Sequence, residues 1–202
     1  LSLQMPYAQV IDLKQALTLE DYYRTDTHWS QDKLDEVVDV LAEAMGITDR
    51  LSGQYKENVL EGFKGVYHGQ SALNPKPDDL VYLTNDILNA CTVYDYETGK
   101  TTGIYNFEAF NGKDGYDFFL SGTRALLRID NPNATTDEEL IIFRDSFGSS
   151  IAPYFCEQYA RVTLVDLRYL SSGVLADYID FDDQDILFLY STHILNTAMI
   201  LK

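Results

Sequence analysis

The sequence predicts an α/β fold in which helices cover a parallel sheet. Leu140–Phe143 is a short and wholly apolar run, which is typical of a buried parallel strand. It opens an alternation of helical and strand-like segments over Ser149–Tyr159, Val162–Val165, Ser172–Tyr178 and Ile186–Tyr190. Such an alternation implies right-handed crossovers, which place helices on the faces of a parallel sheet.

Size and composition fit a single globular domain over residues 1–202. Of the 202 residues, 46% are hydrophobic and 23% are charged, which is enough for a sizeable core. The formal net charge is −17, with only 15 Lys and Arg residues and no basic run. Because nucleic-acid binding depends on clustered cationic side chains, the composition argues against a nucleic-acid partner.

An amphipathic helix is predicted between Ser30 and Gly46. Apolar residues at offsets of 0, 3, 4, 7, 8 and 11 form one stripe: Leu34, Val37, Val38, Leu41, Ala42 and Met45. Ser30 is a suitable residue to cap the start of this helix, and Gly46 is a suitable residue to end it.

The remaining elements are predicted from short apolar runs and turn residues. Strands are expected at Tyr7–Leu13, Leu80–Thr84, Thr92–Tyr96, Thr102–Phe107, Tyr116–Leu120 and Ala125–Ile129. The third and fourth of these strands would pair as a hairpin, within a possible insertion at residues 85–115. The polar, glycine-containing stretch at residues 47–78 is expected to be a loop.

The cysteines and the chain start bear on the origin of the protein. Cys91 and Cys156 stand 65 positions apart and fit no metal motif, so a single disulfide and two separate buried thiols both remain open. The chain begins with Leu and contains no apolar run of about 18 residues. We expect a fragment of a longer exported protein, with any signal or membrane anchor outside these residues.

A serine lies where a predicted strand meets a predicted helix. Ser146 would stand at the carboxyl edge of the sheet, where open α/β sheets bind their ligands. Backbone N–H groups at the start of the helix could stabilise an oxyanion there, as in a nucleophile elbow, although the Gly-x-Ser-x-Gly signature is absent. The alternative is that Asp145 and Ser146 only cap the helix.

A second constellation, Asp26-Thr27-His28-Trp29, carries the groups that a serine nucleophile needs. An imidazole can take the serine proton near neutral pH, and a carboxylate can fix the tautomer of that imidazole. The alternatives are a structural histidine, or a metal held by Asp26 and His28. The 3 His residues, at positions 28, 68 and 193, lack the paired spacing of zinc sites, so no metal or other cofactor is predicted.

Two segments together resemble known families. Residues 22–29 resemble the signature of the DHHW family of bacterial proteins and are similar to the Asp-x-His segment of alginate O-acetyltransferase proteins. In both, that segment precedes a Lys/Gly-Asp-Ser-Phe segment, which residues 144–147 match. Residues 118–122 and 166–169 also look like family segments. Two positions depart from the pattern: Thr27 replaces the second residue of Asp-His-His-Trp, and Arg144 replaces the Gly that precedes Asp-Ser in the wider superfamily.

The resemblance implies an SGNH-hydrolase-like three-layer sandwich with a mainly parallel sheet and with its catalytic segments in permuted order. It implies that Ser146 is the nucleophile, that His28 is the general base and that Asp26 orients His28. The backbone N–H of Ser146 would be one donor to the oxyanion.

Further contacts follow from the same resemblance. The N–H of Gly122 would be a second oxyanion donor, and Arg168 and Tyr169 would contact the substrate. The third donor in the superfamily is usually an Asn, for which the candidates are Asn106, Asn111 and Asn131.

The leading functional hypothesis is an extracytoplasmic, serine-dependent acyl esterase or O-acetyltransferase that acts on cell-surface or exported polysaccharide. Its partner would be a carbohydrate or an acylated small molecule. An alternative is a catalytically inactive glycan-binding or cell-envelope assembly protein that retains the fold, because fold does not dictate activity. A third hypothesis is a metal-dependent hydrolase.

Overall fold

Two sheets form the framework of the protein. The structure is a computed structural model, and it describes residues 6–48, 51–68, 70 and 75–197. The strands are β1 Lys56–Phe63, β2 Asp78–Thr84, β3 Thr92–Asp95, β4 Lys100–Thr102, β5 Leu126–Asp130, β6 Glu139–Arg144, β7 Arg161–Val165 and β8 Asp185–Leu189. Strands β1 and β2 form a small sheet, and the large sheet has the order β4-β3-β5-β7-β6-β8.

The large sheet is mixed rather than mainly parallel, which corrects the predicted topology. Strand β6 pairs in parallel with β7 and β8, whereas the pairs β3–β4, β3–β5 and β5–β7 are antiparallel. The turn between β3 and β4 is far too short for the crossover that parallel neighbours require. The hairpin expected as an insertion therefore forms one edge of the large sheet, and the parallel arrangement is confined to the last three strands.

Helices are short in this mixed α/β fold. The α-helices are α1 Asp35–Met45, α2 Asp86–Ala90, α3 Phe107–Phe110, α4 Gly148–Phe155 and α5 Thr192–Asn196. Short 3-10 helices lie at Lys14–Ala16, Leu19–Asp21, Gln31–Lys33, Gly115–Phe118 and Ser172–Asp177. Helix α1 confirms the amphipathic prediction, because its apolar stripe is buried and Gly46 ends it in the left-handed conformation with φ 71°. Ser30 precedes the 3-10 helix that leads into α1 rather than α1 itself.

Four segment predictions are wrong. Thr102–Phe107 is not a strand, because β4 spans Lys100–Thr102 and α3 begins at Phe107. Residues 7–13 form no strand, and Tyr7 is fully exposed. Strand β1 lies within the stretch that was expected to be a loop. Its residues are mostly polar and exposed and show no alternation of apolar and polar side chains. It is a strand because it pairs along its length with β2. Tyr116–Leu120 is not a strand but overlaps a 3-10 helix, whose first turn is capped by the Asp114 carboxylate accepting from Tyr116 N at 3.0 Å.

The core lies on both faces of the large sheet. On one face, strand residues such as Ile142 and Leu164 share a cluster with Leu41 of α1 and Ile151 of α4. Cys91 and Cys156 are buried in that same cluster as free thiols. No helix in the described part of the chain is long and apolar enough to cross a membrane.

The parallel strands determine where the functional site lies. Strand β6 lies between β7 and β8 in the sheet. The chain therefore runs from β6 to β7 on one side of β6 and then crosses to β8 on the other side. In open α/β sheets, ligands bind outside the carboxyl ends of strands at such a reversal of strand order. Residues that follow Arg144, the last residue of β6, lie at this position.

Candidate active site

Ser146 lies in the tight connection between β6 and α4. The Asp145 carboxylate fixes this connection from both sides, because it accepts from Phe147 N at 3.0 Å and from Ser191 N, just after β8, at 2.8 Å. Asp145 is therefore occupied in holding the turn. The backbone N–H of Ser146 donates to no described residue, which leaves it free for a ligand.

The segment from Tyr22 to Trp29 folds into a narrow ribbon that carries Asp26 and His28. Tyr22 and Trp29 form an antiparallel bridge, and Tyr23 N donates to His28 O at 3.1 Å. The ribbon is anchored to β2 through Thr25, whose backbone N and side-chain Oγ1 both donate to the Asp78 carboxylate, at 2.8 and 2.7 Å. This arrangement directs the side chains of Asp26 and His28 toward α4.

The structure brings Asp26, His28 and Ser146 together. His28 Nε2 lies 2.7 Å from Ser146 Oγ, and His28 Nδ1 lies 2.5 Å from Asp26 Oδ1. Since a carboxylate can only accept, Nδ1 carries the proton in the neutral ring, and Nε2 accepts the hydrogen bond from the Ser146 hydroxyl. This tautomer leaves Nε2 ready to take the serine proton.

The environment of Asp26 keeps its carboxylate ionised. Burial alone would raise the pKa of Asp26, but the hydrogen bond and charge of His28 and the backbone N–H groups of His28 and Val66 hold that pKa below its ordinary value. The two backbone contacts measure 3.0 Å from His28 N and 2.8 Å from Val66 N. An ionised carboxylate here is suited to stabilise a positive imidazole, which is the state that His28 would reach if it took a proton from Ser146.

Aromatic side chains hold the His28 ring in place. The Tyr116 ring stacks on it with centroids 3.8 Å apart and planes inclined by 4°, and Phe147 contacts it at 4.8 Å. The Tyr116 hydroxyl and the Trp29 indole both donate to Ser150 Oγ in α4, at 2.8 and 2.9 Å. Tyr116 is a site residue that sequence reasoning missed, because only the fold brings it beside His28.

Gly65 is a second residue that the sequence did not single out. It is buried against the ribbon, and its N donates to Thr25 Oγ1 at 3.1 Å. A Cβ at this position would lie 2.3 Å from Asp26 Cβ and 2.4 Å from the Thr25 carbonyl oxygen. The loop therefore requires a residue without a side chain in order to pack against the Asp26 carboxylate.

Arg144, which departs from the superfamily pattern, points into the protein beneath the turn. Its side chain is fully buried, and its stem packs on Gly148, where a Cβ would lie 2.6 Å from Arg144 Cβ. Burial lowers the pKa of Arg144, while the nearby Asp166 carboxylate acts in the opposite direction. Arg144 therefore underlies the Ser146 turn and leaves the solvent side of the turn unobstructed.

The other predicted site residues lie at the same edge of the sheet but do not join the three central residues. Gly122 N donates to Phe119 O at 3.1 Å, so this N–H is already engaged. The Arg168 guanidinium pairs with the buried Asp166 carboxylate at 2.6 Å and lies over the ring of Tyr169. Tyr169 is half-exposed. Among described residues, no hydrogen bond links Gly122, Arg168 or Tyr169 to Ser146 or His28.

The candidate asparagines are occupied elsewhere. Asn106 caps α3 and donates to Ser121 Oγ at 3.0 Å, Asn111 ends α3, and Asn131 follows β5 at the opposite edge of the sheet. The described part of the chain shows no group of three or more His, Cys, Asp or Glu residues that could hold a metal ion. Asp26 and His28, the metal ligands of the third hypothesis, pair with each other at 2.5 Å.

Family membership follows from the sequence itself. A profile of the DHHW protein family matches residues 10–165, well over half of the chain, and this range contains Asp26, His28 and Ser146. The chain therefore belongs to the DHHW family, as the signature at residues 22–29 predicted. A search of curated proteins finds no match.

Solved structures share the fold at low sequence identity. A DHHW family protein from Eubacterium siraeum is 23% identical with a TM-score of 0.64, over 89% of this chain and 63% of that one. Bacillus cereus PatB1 with a sulfonyl adduct is 21% identical with a TM-score of 0.64, over 91% and 66% of the two chains. A second PatB1 structure gives 20% identity and a TM-score of 0.64. The present chain thus spans somewhat less than two thirds of the first two chains.

Proposed function

We propose that this protein is a serine-dependent acyl esterase or O-acetyltransferase of the SGNH-hydrolase-like and alginate O-acetyltransferase-like type. The observation that carries the proposal is the chain of contacts from Asp26 Oδ1 through His28 to Ser146 Oγ, at 2.5 and 2.7 Å. Within this range of distances, a base can activate a serine hydroxyl. The unengaged N–H of Ser146 at the start of α4 supports the same proposal.

In the first step, His28 Nε2 takes the proton of Ser146 as Oγ attacks the carbonyl carbon of an ester. The tetrahedral intermediate carries a negative oxygen, which the N–H of Ser146 stabilises. His28, now protonated and balanced by Asp26, gives its proton to the leaving alcohol. The products of this step are an acyl ester on Ser146 and the free alcohol.

In the second step, a hydroxyl compound resolves the acyl ester on Ser146. His28 takes a proton from water or from a sugar hydroxyl group, whose oxygen attacks the acyl carbon. The bond to Ser146 Oγ breaks, and Oγ recovers its proton from His28. Water gives hydrolysis, and a sugar gives O-acyl transfer.

The substrate class is part of the proposal. The half-exposed Tyr169 ring lies at the same edge of the sheet as Ser146 and offers an aromatic face of the kind that sugars pack against. One of the PatB1 structures carries a sulfonyl adduct. This supports the proposed chemistry indirectly, because sulfonyl groups attach to activated nucleophiles. A polysaccharide outside the cytoplasm is the substrate that we propose.

The test compares hydrolysis of p-nitrophenyl acetate by the wild type and by Ser146→Ala. We expect the variant to lose the enzymatic release of nitrophenol while its unfolding temperature stays within a few degrees of the wild type. Ser172→Ala, an exposed serine of a 3-10 helix, is the matched control. Equal turnover by Ser146→Ala and by the wild type would overturn the proposal. A wild type that releases no nitrophenol would instead support the inactive glycan-binding alternative.

A further inference from the structure

The carbonyl group of Asp145 and the N–H group of Ser146 belong to the same peptide bond. The Asp145 carbonyl oxygen accepts from Arg144 Nη1 at 3.3 Å and from Gly148 N at 3.1 Å. The described residues contain no cis peptide bond, and in a planar trans peptide the C=O and N–H groups point in opposite directions. The Ser146 N–H therefore points away from Arg144, toward the side of the turn that Arg144 leaves unobstructed.

This N–H is the free donor at the start of α4. Phe147 N donates to the Asp145 carboxylate at 3.0 Å, Gly148 N donates to the Asp145 carbonyl, and Ser149 N donates to the Ser146 carbonyl at 3.1 Å. The Ser146 N–H donates to no described residue. A negative oxygen that forms beside Ser146 Oγ would depend on this N–H, so the direction and strength of this one donor matter.

The Arg144 side chain is held against this peptide. It is fully buried, and a Cβ on Gly148 would lie 2.6 Å from Arg144 Cβ and 2.9 Å from Arg144 Cγ, so the stem packs directly on the start of α4. Arg144 Nε and Nη2 have no hydrogen-bond partner among the described residues. Within that part of the chain, the bond from Nη1 to the Asp145 carbonyl is therefore the hydrogen bond that the guanidinium makes.

A fully buried guanidinium with two unpartnered nitrogens is unfavourable for stability. Charges are costly to remove from water, and apolar residues of similar volume are often neutral or stabilising in their place. The neighbouring Asp166 carboxylate is paired with Arg168 at 2.6 Å, so it would keep a cationic partner if Arg144 were replaced. A residue that disfavours stability beside the proposed nucleophile indicates a role in function.

We propose that Arg144 is a positioning residue for the oxyanion: its guanidinium fixes the peptide between Asp145 and Ser146 and strengthens the Ser146 N–H as a donor. This inference rests on the proposed function and adds a residue to its mechanism. A hydrogen bond from a cation to a carbonyl is charge-assisted, and it polarises the peptide so that the N–H becomes a better donor. The guanidinium keeps its proton in proteins, so the N–H is oriented and polarised before the reaction begins.

The first measurement compares kcat and KM for p-nitrophenyl acetate in Arg144→Met and Arg144→Lys. Methionine removes the cation but keeps an unbranched stem, and lysine keeps a cation. Loss of one oxyanion donor lowers kcat by about 10²–10³-fold, and Arg144→Met weakens the donor without removing it. We therefore expect kcat to fall by about 10–100-fold in Arg144→Met and by less than about tenfold in Arg144→Lys. KM should change by less than about twofold, because the donor acts on the transition state.

Arg161→Met is the matched control for the loss of an arginine. Arg161 is the first residue of β7, and it pairs with Asp130 at 3.0 Å and with Glu139 at 2.8 Å, at the opposite edge of the sheet from Ser146. We expect this variant to keep the kcat of the wild type. Thermal unfolding is followed for every variant, and Arg144→Met should unfold within a few degrees of the wild type.

The second measurement observes the peptide itself and needs no catalysis. Asp145-Ser146 is the only Asp-Ser pair in the sequence. Protein with ¹³C at the Asp carbonyl carbons and ¹⁵N in Ser therefore gives one NMR signal from a doubly labelled peptide. The chemical shift of a carbonyl carbon depends on the hydrogen bonds that its oxygen accepts. We expect this signal to move to lower chemical shift in Arg144→Met, to move less in Arg144→Lys and to stay in place in Arg161→Met.

The proposal is supported if kcat falls in Arg144→Met, recovers largely in Arg144→Lys and follows the movement of the carbonyl signal. A wild-type kcat in Arg144→Met overturns it, and so does a carbonyl signal that stays in place. Equal losses of kcat and of unfolding temperature in both variants indicate a merely structural residue and overturn it as well. If Arg144→Met fails to fold, Arg144→Lys decides: movement of both kcat and the signal supports the proposal, and any other combination overturns it.

Failure of the proposed function is distinguishable from failure of this inference. If the wild type releases no nitrophenol, the proposed function fails and the oxyanion role of Arg144 is overturned with it. If turnover is present and is lost in Ser146→Ala, but the carbonyl signal does not respond to Arg144→Met, the proposed function stands and only the role of Arg144 is overturned.

Discussion

Gly65→Ala tests whether the position of Asp26 depends on the loop behind it. The added methyl group would lie 2.3 Å from Asp26 Cβ and 2.5 Å from Asp26 Oδ2, so either the loop or the ribbon must shift by about an ångström to reach ordinary contact distance. Overpacking of this kind costs about 1–3 kcal/mol of unfolding free energy. In a domain of this size, that corresponds to an unfolding temperature lower by roughly 2–12 °C.

The same shift should be visible in turnover. A displacement of about 1 Å in a catalytic group can cost about 100-fold in rate, so we expect p-nitrophenyl acetate hydrolysis to fall by that order in Gly65→Ala. The matched control is Gly103→Ala, where an added Cβ meets nothing within 4 Å. Thermal unfolding and initial rates are measured on both variants. A Gly65→Ala protein that matches Gly103→Ala in both measurements would refute the packing argument.

Three further predictions follow from the same contacts. Asp26→Asn should lower turnover by about 10³–10⁴-fold in initial-rate assays, because the charge that balances the imidazolium is lost; a fall below tenfold would contradict this. Ser150→Ala should lower the free energy of unfolding in urea by about 1–3 kcal/mol, because the buried Tyr116 hydroxyl loses its acceptor and the Trp29 indole keeps only its 3.2 Å bond to the Phe147 carbonyl oxygen; an unchanged unfolding midpoint would count against it. Burial alone would raise the pKa of Asp78, but hydrogen bonds from Thr25 and the pairing with Arg24 lower it. The stabilising contribution of Asp78 should therefore be present at pH 7 and shrink as the pH falls through its folded pKa, so wild type and Asp78→Asn should differ more in urea unfolding at pH 7 than at pH 2.

The sequence allows the chemistry to be anticipated better than the architecture. Residue type singles out Ser146, His28 and Asp26, because few other side chains can act together as nucleophile, base and orienting acid. Their motifs also lead to the DHHW family, which the profile match over residues 10–165 confirms. The roles of the three residues stay predictions, although the structure places them in contact.

The sheet was harder to anticipate because strand direction depends on pairing between distant segments. Strand β1 is too polar to show an apolar alternation, and its pairing with β2 is what defines it. Strand β5 lies antiparallel to β7, a pairing that no local pattern announces. The sequence rhythm correctly indicated parallel strands only where short helical segments separate apolar runs, from β6 onward.

Site residues beyond the three motif members depend on long-range contacts in the same way. Tyr116 lies 88 positions from the histidine that it covers, and Gly65 lies 39 positions from Asp26. No motif surrounds Gly65, and the family-like segment at residues 118–122 begins only after Tyr116. A glycine at a close approach and an aromatic ring in a stack become recognisable only when their partners are known.

The most direct test of the account is covalent labelling of Ser146. The wild type is incubated with phenylmethylsulfonyl fluoride at neutral pH, and the modified residue is located by peptide mass spectrometry. We predict one adduct, on Ser146, which forms much more slowly in His28→Ala because the hydroxyl then lacks its base. An adduct on another residue, or labelling of Ser146 at the same rate without His28, would contradict the claim that His28 activates this serine.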